Sequence, residues 1–115
     1  VEWYKAGETL TVEMIARLGA LALPNMNPHG FRSVNVQVGN HFAPDAGEVP
    51  HLLNELLCVY HETNIEPWEV YQEFERIHPF RDGNGRIGKI IFNWVNGTLP
   101  HPVMPPDLFG GIKNP

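Results

Sequence analysis

Disulfide chemistry is absent from this 115-residue chain: its single cysteine, Cys58, has no internal partner. Cys58 lies amid leucines at helical spacing, a pattern that predicts a small buried hydrophobe in a reducing, intracellular setting. Long hydrophobic runs are also missing, so a membrane is not an expected partner. Positive charge is scarce, with 8 basic against 13 acidic residues and a net charge of −5. A nucleic-acid partner is therefore not expected either. Metal-ligand spacing does not occur among His29, His41, His51, His61 and His101, which read as surface or capping residues. Leu18 to Leu23 is too short for a signal peptide and follows Glu13 and Arg17 at helical spacing. The Asn96-Gly97-Thr98 sequon reads as chance beside a helix-ending glycine. The chain opens on Val1 without methionine and stops at Asn114-Pro115, so it reads as an excised piece. With neither repeat nor linker, residues 1–115 are expected to form one domain.

What is present is mostly helical pattern. Val1 to Glu8, with Trp3 and Tyr4, reads as a lead-in that packs aromatics on the core. Thr9 or Thr11 can cap a helix reaching about Leu23, with Val12, Ile15, Ala16, Gly19, Ala22 and Leu23 as its stripe, and Pro24 stops it. Val34, Val36 and Val38 alternate with Asn35 and Gln37, and Gly39-Asn40 follows as a turn, so a small hairpin is predicted here. Val49, Leu52, Leu53, Leu56, Leu57 and Tyr60 form the clearest apolar stripe, on a helix ending near Thr63-Asn64. Pro67 suits the first turn of the next helix, whose face is Val70, Tyr71, Phe74 and Ile77. A last helix, from about Gly85 to Asn96, carries Ile87, Ile90, Ile91 and Trp94, and an irregular Pro/Gly-rich tail is expected from about residue 97.

Between the last two helices lies the stretch that carries chemistry, His78-Pro79-Phe80-Arg81-Asp82-Gly83-Asn84-Gly85-Arg86-Ile87-Gly88-Lys89. An imidazole, a carboxylate and three cations meet there in a loop opening into a helix N-terminus. Free backbone N–H groups and the helix dipole make such a place an anion site. Glycines let a phosphate approach the backbone. Together these features point to nucleotide chemistry. Gly83 to Lys89 also fits the G-x-x-x-x-G-K part of a P-loop, but Ile90 stands where Ser or Thr would hold magnesium. A helix rather than a buried strand is expected before it, and the chain lacks βαβ alternation.

The stretch resembles the Fic family signature H-P-F-x-[D/E]-G-N-G-R-x-x-R, matching it at His78, Pro79, Phe80, Asp82, Gly83, Asn84, Gly85 and Arg86. Phe31 to Gly39 looks like the family's flap, and the likeness runs from about Thr9 to Trp94. The resemblance implies a mainly α, compact helical bundle of the Fic type with a small β-hairpin flap. It implies transfer of AMP from ATP to a Ser, Thr or Tyr hydroxyl of a target protein. His78 would be the base and Asp82 the Mg²⁺ ligand. Gly83, Asn84 and Gly85 would form the anion hole, Arg86 would grip the pyrophosphate side, and Lys89 would face the γ-phosphate. Phe80 would point into the core. Val34, Asn35, Val36, Gln37 and Val38 would pair with an extended segment of the target. The implied location is cytoplasmic, in the cell of origin or in a host into which the protein is delivered.

Lys89 departs from the family's arginine: it keeps the charge and loses the planar fork. Gly85 keeps the form expected for nucleotidyl transfer, whereas a lysine stands there in the phosphate-transferring death-on-curing branch. Thr9 to Glu13 begins like the family's inhibitory [S/T]-x-x-x-E-[G/N] helix, and Met14 breaks it, which implies a separate inhibitory partner or a missing segment. A helix N-cap is the alternative role for Asp82, and a plain surface hairpin the alternative for the flap. The alternative functions are a non-catalytic nucleotide- or partner-binding module and transfer of another phosphate-containing group.

Overall fold

The computed structural model describes residues 9–104, so the aromatic lead-in and the end of the tail lie outside the described residues. Thr11 caps the first helix, its Oγ1 accepting the Met14 N–H at 3.2 Å, and α1 runs Val12–Ala22. Its buried line is Ile15, Leu18 and Gly19, with Val12 and Ala22 packed at the margin. The valine-rich stretch forms a much shorter ladder than the alternation predicts. β1 (Gln37–Val38) pairs antiparallel with β2 (His41–Phe42), in register Gln37↔Phe42 and Val38↔His41. Val34 stays out of the ladder because its carbonyl accepts from Arg32 Nη1, and it is 48% exposed. Asn35 is likewise committed elsewhere, to Asp45 Oδ1 and the Ala46 N–H.

A 3-10 turn, Ala46–Glu48, leads into α2 (Val49–Thr63), which buries Val49, Leu53, Leu56 and Leu57. Cys58 is exposed, contrary to the expectation from its neighbours. It sits one residue, about 100° of helical rotation, beyond Leu57 and so falls off the apolar stripe. Asn64 ends α2 in a left-handed conformation (φ 52°), and Pro67 opens α3 (Pro67–Ile77). The last helix, α4 (Asn84–Asn96), ends at Gly97 with φ 75°. It buries Ile87, Ile91, Phe92 and Trp94, and Ile90 is only half-buried.

Among the described residues, four α-helices and one two-stranded sheet make a mainly α fold with a small hairpin. α3 packs on α4 and α2, and α1 bridges α2 and α4. Leu53, Val70, Phe74, Phe80, Ile87 and Ile91 lie at the centre of the core. Residues 97–104 are irregular but anchored. Buried Asn93 Oδ1 accepts from the Val103 N–H (2.8 Å) and Thr98 Oγ1 (2.6 Å), while its Nδ2 donates to the Val103 carbonyl at 3.0 Å. Among the described residues, no helix is long and apolar enough to cross a membrane.

Candidate active site

α3 ends at His78, whose N–H donates to the Phe74 carbonyl at 2.9 Å and whose φ is 51°. A β-carbon makes that left-handed conformation costly, and such strain concentrates where function requires a fixed geometry. Three packing devices hold the following loop in shape. Phe80 is wholly buried, as expected, with its ring against Phe31 and Phe74 at centroid distances of 5.5 and 6.4 Å. Asn84 is also buried. Its Oδ1 accepts the Phe80 N–H at 2.8 Å and its Nδ2 donates to the Phe80 carbonyl at 2.7 Å, closing the loop like one rung of a sheet. Asn27 Nδ2 donates to the Asp82 carbonyl (2.9 Å) and also reaches the Gly19 carbonyl (3.3 Å), tying the loop to α1.

Beyond the loop, α4 begins with Gly83 as its N-cap at φ 82°. A β-carbon there would meet Leu23 Cδ1 at 2.6 Å, so glycine answers both conformation and space. Asp82 is half-buried and is not the helix cap: its Oδ1 accepts the N–H of Gly83, the next residue, at 2.7 Å. That contact uses the Gly83 donor. The N–H groups left without a partner among the described residues are those of Asn84, Gly85 and Arg86, the first turn of α4. The side chain of Asn84 is committed to both backbone groups of Phe80. Arg86 and Lys89 are exposed, as is Arg81, and none of the three is ion-paired with a described residue. Three residues apart on α4, Arg86 and Lys89 share a face. α3 rather than a strand precedes the loop, which removes the P-loop alternative.

The imidazole is the most perturbed group here. His78 is 0% exposed, and neither Nδ1 nor Nε2 has a hydrogen-bond partner among the described residues. Burial lowers its pKa from 6.5 to about 4; the Glu75 backbone pulls the other way, while Arg32 and His41 nearby push it further down. The ring is therefore neutral at neutral pH, with one nitrogen free to accept a proton. An unpaired buried polar atom costs on the order of 1–3 kcal/mol, and is expected where a ligand completes the bonding.

No group of three or more acidic, His or Cys side chains among the described residues could hold a metal. Asp82 alone still suits magnesium, which binds through one or two carboxylates, with substrate phosphates and waters supplying the remaining oxygens. Its Oδ2 makes no hydrogen bond or ion pair with a described residue. A cavity of about 590 Å³ lies elsewhere, between α2, α3 and β2, and contains none of residues 78–89.

Residues 9–95 match the model of the Fic/DOC family. The chain belongs to that family. The Fic domain is 30% identical over 103 residues to a protein named "Protein adenylyltransferase Fic" from Drosophila persimilis, with 81% of this chain covered and 20% of that protein. The protein of the same name from Drosophila melanogaster is 27% identical over 103 residues, with 81% and 21% covered. A Fic family protein from Desulfovibrio desulfuricans superposes with a TM-score of 0.64 at 31% identity, covering 83% of this chain and 32% of that one. The chain thus spans about a fifth of the length of these curated relatives.

Sequence reasoning missed Asn27 and Arg32, which are buried, and the side-chain clamp that Asn84 makes on Phe80. Buried Glu75 was missed too. Its carboxylate lies over Gly88, where an added β-carbon would meet Glu75 Oε1 at 2.2 Å.

Proposed function

We propose that this Fic domain transfers AMP from ATP to a hydroxyl side chain of a target protein. The observation that carries the reading is the buried, neutral imidazole of His78, unpartnered at both nitrogens among the described residues and held one loop before a helix N-terminus. The target's Ser, Thr or Tyr oxygen attacks the α-phosphorus, the bond to the β-phosphate oxygen breaks, and pyrophosphate leaves. His78 takes the hydroxyl proton, a role typically worth about 10²- to 10⁴-fold. The N–H groups of Asn84, Gly85 and Arg86 face the charge that develops on the transferred phosphate, and such fixed donors are a large catalytic contribution. Arg86 and Lys89 hold the β- and γ-phosphates from one helical face. Asp82 would hold Mg²⁺, which would neutralise phosphate charge and orient the triphosphate.

The hairpin supplies the target's docking edge. The Ala43 N–H donates to the Val36 carbonyl at 3.1 Å. By the alternation of an antiparallel ladder, the Gln37 backbone groups then face outward, open to an added strand. The names of the Drosophila relatives and the family match support this reading. Incubation with a protein mixture and ATP labelled at either the α or the γ position tests it. Protein-bound α label is expected. Label from γ alone means phosphate transfer, and label from neither means a binding module.

A further inference from the structure

Arg32 lies 46 residues before His78 in the chain and is only 5% exposed. Its guanidinium donates entirely to backbone carbonyls. Nε reaches His78 at 2.7 Å, and Nη2 reaches Ile77 at 3.1 Å and Pro44 at 2.6 Å. Nη1 reaches Val34 at 2.8 Å, and the Arg32 N–H donates to the Pro79 carbonyl at 2.9 Å. No carboxylate of a described residue is hydrogen-bonded to it; Asp45 is close enough only to favour its charge at a distance. Buried charges are ordinarily paired, so a guanidinium bonded only to carbonyls marks a position where fork geometry outweighs charge pairing.

The carbonyls come from two places that the sequence does not connect. Ile77, His78 and Pro79 are the end of α3, where a helix leaves carbonyls without partners. Val34 and Pro44 flank the hairpin, one before β1 and one after β2. A second contact runs parallel, from His41 Nε2 to the Arg76 carbonyl at 2.9 Å. The hairpin and the end of α3 that aims His78 are therefore fastened chiefly through the Arg32 side chain, with His41 beside it.

We propose that Arg32 is a positioning residue that locks the target-docking hairpin to the backbone of His78, so that a segment paired with the hairpin edge presents its hydroxyl to the imidazole. This rests on reading His78 as the base. Lysine at this position would keep the charge but could not reach carbonyls on both sides at once. A misplacement of about 1 Å can cost about 10²-fold in rate.

Two measurements test the proposal. In Arg32→Lys, kcat for AMP transfer should fall about 10²-fold, while KM for ATP, which is bound by α4, stays unchanged. A purely structural role would lower the melting temperature and leave kcat intact below it, and that result overturns the proposal. The second uses the wild-type protein and does not depend on the variant's folding. Amide exchange under native conditions should show the Ala43, Arg32 and His78 N–H groups opening together with one free energy. If Ala43 exchanges through its own, much easier opening, the lock does not exist. A protein that transfers nothing, yet opens these three amides together, would refute the reaction and leave the lock standing. One that transfers AMP while the hairpin opens alone would do the reverse.

Discussion

Replacing Gly19 by alanine sets two effects of opposite sign against each other. Gly19 lies inside α1, where alanine is favoured over glycine by about 1 kcal/mol through helix propensity. It also faces the edge of the Phe80 ring. An added β-carbon would lie 2.1 Å from Cε1, 2.4 Å from Cδ1 and 2.7 Å from Cζ. Carbon atoms rest at about 3.5–4.0 Å, so all three atoms of one rigid ring are overlapped, the nearest two by more than about 1 Å. The ring cannot withdraw, since Phe80 is 0% exposed and confined by Phe31 and Phe74. Overpacking of this kind costs about 1–3 kcal/mol and sometimes more. With three contacts violated, the upper part of that range applies, and the net loss should be about 2 kcal/mol. For a domain of this size, that lowers the melting temperature by roughly 10 °C. Urea unfolding followed by circular dichroism measures it, with the slope unchanged. Adding Phe80→Leu to Gly19→Ala should restore part of the loss. Equal or higher stability in Gly19→Ala would mean that propensity alone operates and that Phe80 is not wedged against α1.

Asn84→Ala should cost about 2–4 kcal/mol, because it strands both the N–H and the carbonyl of Phe80, each worth about 1–3 kcal/mol when buried and unpaired; an unchanged urea midpoint would count against the closed loop. The folded protein resists protonating His78 down to about pH 4, whereas the unfolded chain protonates near 6.5. Stability should therefore be complete above pH 6.5 and fall as pH drops towards 4, by about 3 kcal/mol at 1.36 kcal/mol per pH unit. The slope between these limits should be shallower in His78→Ala by that amount, and parallel curves would contradict the buried neutral imidazole. Lys89→Arg should tighten ATP binding relative to ADP by adding a second hydrogen bond to the terminal phosphate, and Lys89→Ala should weaken it. Calorimetry on the three proteins decides, and equal affinities would place Lys89 outside the phosphate site.

The helices were legible because periodicity and punctuation agree: Thr11, Pro24, Asn64, Pro67 and Gly97 stand close to the ends that the structure shows. The signature stretch was legible as chemistry because its residue types are dense and local. The extent of the hairpin was not. Alternation predicts a longer strand than forms, since Arg32 and Asp45 draw the backbone and side chains of Val34 and Asn35 out of the ladder. Asn27 and Arg32 gave no signal either. Their partners lie 55 and 46 residues away, and an isolated asparagine or arginine in a sequence looks like ordinary surface. Asn84 was legible only in part. Its place in the signature pointed to the anion hole, and nothing in the sequence showed that its side chain also holds both backbone groups of Phe80.

The most direct test of His78 as the proton acceptor in AMP transfer is protein labelling from α-labelled ATP by the wild type and by His78→Ala side by side. ATP affinity should be measured on the same samples. The wild type should label a protein target on a hydroxyl side chain. The variant should fall by about 10²-fold or more while binding ATP with the wild-type affinity, since the first turn of α4, Arg86 and Lys89 are untouched. Equal labelling by both proteins would contradict the account.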